Sequence, residues 1–242
     1  MPLVNPKQVV AGARSACALD DNGVQCWGEN VYGQQNTPSL SNPIDISAGA
    51  LHYCALDDNG VHCWGNNQYG QNNVPDNLQN PSQISVGNWH SCALDDTGVR
   101  CWGGNSFFGA SDVPDDLVNP TLVSAGGGTC ALDDNGVRCW GSSGYGNVVP
   151  SDLLNPVNVI AGLDIYTCAQ DDSGLRCWGR GLNGVTTVPN FSNNINILEV
   201  RAGYSHVCVF IDAISYLGAV GVSCWGNNDY GQLNVPSHFS LD

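Results

Sequence analysis

Apolar and polar residues alternate over short stretches along the whole chain, and Gly or Pro interrupts most of these stretches. Strict alternation is typical of strands that bury one face, because successive side chains point to opposite faces of a sheet. No stretch keeps the apolar period of an amphipathic helix for long enough to form one. The pattern therefore predicts an all-β protein with short strands and many tight turns.

One sequence block recurs along the chain. Cys-Ala-Leu-Asp-Asp-Asn-Gly-Val-x-Cys-Trp-Gly occupies residues 17–28, 54–65, 92–103 and 130–141, with one Thr in place of Asn. A weaker copy occupies 168–179, and a sixth copy at 208–226 has seven extra residues between its cysteines. The first cysteines stand at positions 17, 54, 92, 130, 168 and 208, so the repeated unit is about 38 residues long.

The centre of each block predicts a β-hairpin. Asp20-Asp21-Asn22-Gly23 is expected to form a four-residue loop, with Gly at the position that needs a positive φ. In this register Leu19 faces Val24, and Cys17 lies directly opposite Cys26. A two-residue loop made of the Asn and the Gly alone is the competing register, and it would leave the cysteines diagonal. The first register is favoured because it pairs the two cysteines in five copies at once.

The small size of the unit predicts how the copies assemble. One unit cannot bury both faces of its own sheet, so six units must stack, and radial stacking gives a β-propeller. The N-terminal residues 3–6 resemble residues 117–120, and residues 235–239 resemble the segment before that join. We therefore predict one domain over residues 1–242, a six-bladed β-propeller whose two ends meet in one blade. An open solenoid is the alternative.

The repeat resembles a known family. Ala-Gly-x-x-His-x-Cys-Ala-Leu and Cys-Trp-Gly-x-Asn-x-Tyr-Gly-Gln are similar to the consensus of the regulator of chromosome condensation (RCC1) family, over essentially the whole chain. The short repeat is most similar to the bacterial branch, which includes β-lactamase inhibitor protein II. The resemblance implies a propeller and a protein-binding role, and it does not imply exchange activity on a small GTPase. Family members usually have seven blades, whereas this chain has six copies.

The twelve cysteines form six pairs, one in each copy. Each pair is either a cross-strand disulfide in a secreted or periplasmic protein, or two buried thiols that act as small hydrophobic side chains. Disulfides are favoured because the sixth copy keeps its cysteines opposite each other despite its longer loop. A zinc site is not expected, since one hairpin offers only two ligands. The candidate disulfides are Cys17–Cys26, Cys54–Cys63, Cys92–Cys101, Cys130–Cys139, Cys168–Cys177 and Cys208–Cys224.

The excess of acidic over basic residues limits the classes of partner that the chain is expected to bind. The chain has 7 basic and 22 acidic residues, which gives a net charge of −15. Nucleic acids need a basic surface, and anionic membranes attract basic segments, so neither is an expected partner. The chain has no apolar run that could span a membrane, and its N-terminus lacks the features of a signal peptide. We expect a monomer that is secreted or periplasmic and binds no cofactor or metal; a basic protein is one candidate partner.

The polar residues of the block favour structural roles over catalysis. His52, His90 and His206 precede the first cysteine of their copies by two positions, where the other copies have Ser15, Gly128 and Tyr166. These substitutions are not chemically equivalent, which favours packing or hydrogen bonding. The Asp-Asp pairs fit turn chemistry, and an acidic rim that attracts a basic partner or Ca²⁺ is the alternative. No Ser, His and Asp combination stands out, so we expect no enzyme.

The tryptophans fall into two groups. One Trp per copy follows the second cysteine, and this series is expected to lie in the core between blades. Trp89 lies outside the series. The series consists of Trp27, Trp64, Trp102, Trp140, Trp178 and Trp225.

Two loops differ most between the copies: one precedes the first cysteine and the other follows Trp-Gly. In a radial array these loops converge on one face, where apolar side chains without a shared structural role are candidate interface anchors. Packing on neighbouring blades is the alternative for some of them. The insertion in the sixth copy, residues 213–220, is a further apolar candidate at the Asp-rich end. The candidate interface consists of Leu51, Trp89, Phe107, Phe108, Leu163, Ile165, Leu182 and Tyr204.

The sequence therefore predicts a non-catalytic protein-binding β-propeller. A carbohydrate-binding or enzymatic propeller that uses the central opening is one alternative. A structural repeat module of a larger surface protein is another.

Overall fold

The computed structural model describes residues 3–104, 108–141, 147–191, 195–213 and 219–236. These residues form six three-stranded antiparallel sheets, each with its strands in chain order, and one short 3₁₀ helix, Leu182–Gly184. No helix within the described ranges is long and apolar enough to cross a membrane. The strands of the first three sheets are β1 Gln8–Ala11, β2 Ser15–Asp20, β3 Gly23–Gly28, β4 Asp45–Ala48, β5 His52–Asp57, β6 Gly60–Gly65, β7 Gln83–Val86, β8 His90–Asp95 and β9 Gly98–Gly103. Those of the last three are β10 Leu122–Ala125, β11 Thr129–Asp133, β12 Gly136–Trp140, β13 Asn158–Ala161, β14 Tyr166–Asp171, β15 Gly174–Gly179, β16 Ile195–Ala202, β17 His206–Ala213 and β18 Ala219–Gly226.

The hairpin of each block has the favoured register. Leu19 pairs with Val24 and Cys17 pairs with Cys26, so the competing register is wrong. The strands extend further than expected, because Asp20 also pairs with Gly23. The loop tip therefore has two residues instead of four. Gly23 has a φ of 106°, the positive value that the turn needs.

All six predicted disulfides are present, which confirms the disulfide interpretation. The paired cysteines are directly opposite each other, with Cα atoms 4.0 to 4.1 Å apart. The sixth pair, Cys208–Cys224, closes a sequence separation of 16 instead of 9 and still joins facing positions. Each hairpin is therefore covalently fixed in its register.

The hydrophobic core lies between consecutive blades. Cys54 and Leu56 of the second blade pack against Ile84, Val86 and Trp102 of the third. Four further clusters repeat this arrangement along the chain. Each blade thus offers one apolar face to the preceding blade and another to the following blade, as stacked repeats require.

Four tryptophans of the repeat series lie in the core, as predicted. A fifth is partly buried, and the prediction is wrong for the sixth. Trp64, Trp102, Trp140 and Trp225 are buried, and Trp178 is partly buried against the fourth and fifth blades. The prediction was wrong for Trp27, which is exposed. The physical reason is that no preceding blade covers this face of the first blade within the described residues.

The all-β class and the six blades of the predicted propeller are confirmed. The predicted join of the two chain ends in one blade stays a prediction, because residues 1–2 and 237–242 lie outside the described ranges. Residues 214–218 of the sixth-copy insertion and Phe107 also lie outside the described ranges, so their predicted roles in an interface stay predictions.

Candidate functional site: the loop face

Hydrogen bonds join the turns that follow the first strand of successive blades. The amide of Ala13 donates to the carbonyl of Ala50 at 2.9 Å, and the amide of Gly127 donates to the carbonyl of Gly162 at 2.8 Å. Similar bonds run from Asn88 to the fourth blade and from Leu163 to the sixth. The turns of different blades therefore lie side by side at one end of the propeller.

The loop after Trp-Gly lies at the same end. The amide of Asn66 donates to the carbonyl of Leu51 at 2.9 Å, and the amide of Asn227 donates to the carbonyl of Ser205 at 2.8 Å. Both variable loops of a blade thus meet, as the sequence predicted. We call this end the loop face; it comprises residues 12–14, 49–51, 87–89, 126–128, 162–165 and 203–205 with the described residues of the loops that follow Trp-Gly.

The structure places most of the candidate interface residues on the loop face and exposes half of them. Leu51, Leu163 and Ile165 are partly buried, so packing accounts for part of their surface. The exposed candidates are Trp89, Phe108, Leu182 and Tyr204.

Trp89 takes part in the clearest aromatic contact of the loop face. Its ring meets the ring of Tyr69 edge to face, with centroids 5.5 Å apart and an interplanar angle of 79°. Both rings remain exposed. Tyr32 and Tyr230 stand at the position of Tyr69 in their own copies and are exposed too. These tyrosines are not among the predicted interface residues, because they belong to the shared Asn-x-Tyr-Gly motif, which is typical of a structural role.

The opposite end of the propeller carries the Asp-Asp pairs, and their main role is structural. Asp57 accepts hydrogen bonds at 2.7 Å from the amides of Ser41 and Asn59. The side chain of Asn42 donates to Asp58 at 2.6 Å. Equivalent bonds occur in the other four copies that have the pair. The first Asp therefore ties the hairpin to the preceding Asn-Pro turn, which confirms the turn interpretation.

These hydrogen bonds also determine the protonation of the buried Asp. Burial alone raises the pKa of Asp57, but the amide donors of Ser41 and Asn59 together with the neighbouring His62 outweigh it, and the pKa falls below the ordinary value. The carboxylate is the required acceptor, so this group stays ionised in the fold. The acidic rim therefore consists mainly of the second, more exposed Asp of each pair.

The buried histidines form part of a chain of hydrogen bonds between blades. Nε2 of His52 lies 3.1 Å from Oγ of Ser91 in the next blade. The hydroxyl of Ser91 donates to the carbonyl of Gln71 at 3.0 Å, so His52 must be the donor to Ser91. Nε1 of Trp102 donates to the same carbonyl at 2.9 Å. Burial, followed by the repulsion of His90, lowers the pKa of His52 to about 3.

The next interface repeats this arrangement, which we call the hydroxyl relay. Nε2 of His90 lies 2.7 Å from the hydroxyl of Thr129, which donates to the carbonyl of Ala110 at 2.7 Å. Burial lowers the pKa of His90 to about 4. These contacts confirm the structural interpretation of His52 and His90. A signal was present in the sequence, because the copy after each of these histidines has a hydroxyl residue immediately before its first cysteine.

In the part of the chain that the structure describes, no three His, Cys, Asp or Glu side chains are grouped so that they could hold a metal ion.

The family model for the regulator of chromosome condensation (RCC1) repeat matches residues 7–34, 44–71 and 82–108. These segments are the first three copies of the repeated unit. No curated protein matches the chain.

Solved structures similar to this chain include two plant ectodomains. The ectodomain of the Physcomitrella patens receptor kinase CR4 is 25% identical with a TM-score of 0.71, and the match covers 94% of this chain and 63% of that one. The CRINKLY WD40 ectodomain of the Arabidopsis thaliana receptor kinase ACR4 is 24% identical with a TM-score of 0.71, and covers 97% and 82%. This chain therefore spans less than two thirds of the first of these ectodomains.

A yeast protein shares the fold as well. Prp20p from Saccharomyces cerevisiae is 21% identical with a TM-score of 0.65, over 81% of this chain and 66% of that one. A second solved structure contains the same protein under the name yeast RCC1. The first three copies of the repeated unit therefore match the RCC1 repeat, and the whole chain shares its fold with these solved structures.

Proposed function

We propose that the chain is a non-catalytic scaffold that binds another protein through the loop face. The observation that carries this proposal is the exposed pair of Trp89 and Tyr69. Trp89 has no counterpart in the other copies, so the shared architecture does not require it. Large exposed aromatic side chains that the fold does not need are typical anchors of protein interfaces.

The comparisons support a protein as the ligand. The structure of Prp20p is accompanied by its binding properties to Gsp1p and histones, and another structure has Kap60 bound to yeast RCC1. Those partners belong to the yeast protein. For this chain, the net charge of −15 favours association with a basic protein through long-range attraction. We also propose that this chain belongs to the bacterial short-repeat branch of the RCC1 family.

The disulfides support an extracellular location. Six disulfides form and persist in an oxidising compartment, and two of the similar structures are ectodomains. We therefore propose that the protein is secreted or periplasmic and that it is a monomer.

The test is saturable binding of proteins from the native extracellular fraction to the immobilised chain. Trp89→Ala is expected to weaken capture of the bound protein at least about tenfold, the effect of losing one interface anchor. Val157→Ala is the matched control, because Val157 is exposed beside the Asn-Pro turn at the opposite end. Equal capture by the wild type and Trp89→Ala would overturn the proposal that the loop face binds the partner. Saturable binding of glycans instead of protein would favour the carbohydrate-binding alternative.

A further inference from the structure

One part of the loop face contains no charged residue, although the chain has a net charge of −15. We call it the neutral sector; it lies on the second and third blades and comprises residues 49–52, 65–73, 87–90, 103–104 and 108–111. Asp, Glu, Lys and Arg are absent from these ranges and from residues 105–107 of the sequence. Its two histidines, His52 and His90, are buried. A ligand of the neutral sector therefore meets aromatic, amide and backbone groups and no charge within it.

Trp89 and Tyr69 form a right-angled corner in the neutral sector. Their ring planes are 79° apart, with centroids at 5.5 Å. Each residue is 43% exposed, so parts of both rings are open to solvent. The amide of Tyr69 donates to Oε1 of the fully buried Gln71 at 2.8 Å, and Nε2 of Gln71 donates to Oδ1 of Asn66 at 3.0 Å. The turn below Tyr69 is thus fixed before a ligand binds, which reduces the entropy cost of binding.

The corner has two hydrogen-bond donors without partners. Neither Nε1 of Trp89 nor the hydroxyl of Tyr69 has a hydrogen bond to any residue that the structure describes. In contrast, Nε1 of Trp64 and Nε1 of Trp102 each donate to a backbone carbonyl of the preceding blade at 2.9 Å. Both rings of the corner thus combine an apolar body with one free donor. They suit a ligand that has apolar rings and carbonyl oxygens.

The first copy has the same tyrosine without the corner. Tyr32 stands at the position of Tyr69 and is 42% exposed, which is nearly the same exposure. The turn of the following blade has Leu51 where Trp89 stands, so it offers no second ring. The loop of Tyr32 also contains a charged residue, Glu29. Tyr32 is therefore a matched reference for an exposed tyrosine outside the corner.

The next inference rests on the proposed function and names the kind of segment that the loop face binds. We propose that the corner of Trp89 and Tyr69 binds a proline-rich segment of the partner protein in the polyproline II conformation. Proline has no backbone N–H, and a polyproline II helix has no internal hydrogen bonds, so this segment presents free carbonyl oxygens beside apolar rings. The two donors of the corner match these carbonyls. The perpendicular aromatic walls match the pyrrolidine rings, as in other aromatic-lined grooves that bind such segments.

The absence of charge favours this ligand over a basic one at the corner. A cationic side chain also stacks on the face of a tryptophan. Its charge would gain most from a carboxylate beside the ring, which the neutral sector lacks. The five Asp-Asp pairs lie at the opposite end, where they can speed the encounter with a basic partner by long-range attraction. Binding at the corner itself is therefore expected to be insensitive to salt.

The experiment titrates the full chain, with its disulfides intact, with a blocked peptide of about ten prolines, which spans about 30 Å as polyproline II. The tryptophans are replaced by 5-fluorotryptophan, and the ¹⁹F resonance of position 89 is assigned with Trp89→Phe. We expect a saturable shift of this resonance. Its apparent affinity should change less than about twofold between about 0.05 M and about 0.5 M sodium chloride. A Gly-Ser peptide of the same length has carbonyls but no pyrrolidine rings, and it should bind at least about tenfold more weakly.

Two variants separate the corner from exposed tyrosines in general. Tyr69→Ala is expected to weaken binding of the proline peptide at least about tenfold, because it removes one wall and one donor. Tyr32→Ala is the matched control and should leave the affinity unchanged. Both side chains are exposed, so the melting temperatures of the two variants should equal that of the wild type.

The absence of a saturable shift, equal affinity for the Gly-Ser peptide, or an equal loss in Tyr32→Ala would overturn the inference. A shift with a neutral oligosaccharide but not with the proline peptide would assign the corner to a carbohydrate and would also overturn it. Capture of extracellular proteins tests the proposed function separately. Capture that depends on Trp89 but that the proline peptide does not displace would leave the proposed function intact and refute this inference alone. Peptide binding without capture of any protein would support the corner and refute the proposed function.

Discussion

Acidification is expected to destabilise the fold well above the pH at which carboxylates titrate, because two histidines are buried without charge. The pKa values of His52 and His90 in the folded chain are about 3 and about 4. In the unfolded chain a histidine has a pKa of about 6.5. Between these values the unfolded chain binds protons that the folded chain does not, so the free energy of unfolding falls as the pH falls.

The magnitude follows from the two shifts. Each histidine contributes up to about 1.4 kcal/mol for each pH unit below about 6.5, so the pair contributes up to about 2.7 kcal/mol per unit. From about pH 6.5 to about pH 4.5 the summed loss is of the order of 5 kcal/mol. The buried Asp residues act in the same direction but later, because their lowered pKa values matter only below the ordinary value of 3.8.

The assay is urea unfolding at several pH values between about 7.5 and 4.5. His52→Gln and His90→Gln keep a donor for the neighbouring hydroxyl and remove the titrating group, so each should lower the slope by about half. Tyr53→Phe is the matched control, since it removes a buried hydrogen bond of 2.7 Å to Ser15 without removing a histidine. It should lower stability equally at each pH. An unchanged slope in the double Gln variant would refute the reasoning.

Three further changes test the packing of single blades. Replacing Cys54 and Cys63 by Ser should lower the free energy of unfolding by about 3 kcal/mol, as the loop-entropy relation gives for a hairpin loop of this length; an unchanged denaturation midpoint would contradict it. Asp57→Ala should cost about 2–3 kcal/mol in urea unfolding, because two amides lose their acceptor. Gly49→Ala should lower the melting temperature, since its Cβ would lie 2.1 Å from the carbonyl oxygen of Gly87; an unaltered melting curve would show that the turns are not in contact.

The sequence predicted those features that each copy determines within itself. The register of Cys17 with Cys26 follows from two positions in one hairpin, and the repetition of the pair favoured it over the alternative, which the structure then excluded. The Asp-Asp pairs are predicted from the sequence only to form turns, because one amide donor to the first Asp, such as that of Ser41, lies in the connection before the blade. Contacts between segments distant in the chain leave no local pattern, so this part of the role was missed.

The environment of Trp27 could not be predicted from its own copy. Its block has the same sequence as the blocks of buried tryptophans, and only the neighbouring blade makes the difference. The relation between neighbours is nevertheless recorded in the chain: His52 is followed by Ser91, and His90 by Thr129, at the facing positions of the next copy. Such matched pairs indicate which blade faces are complementary.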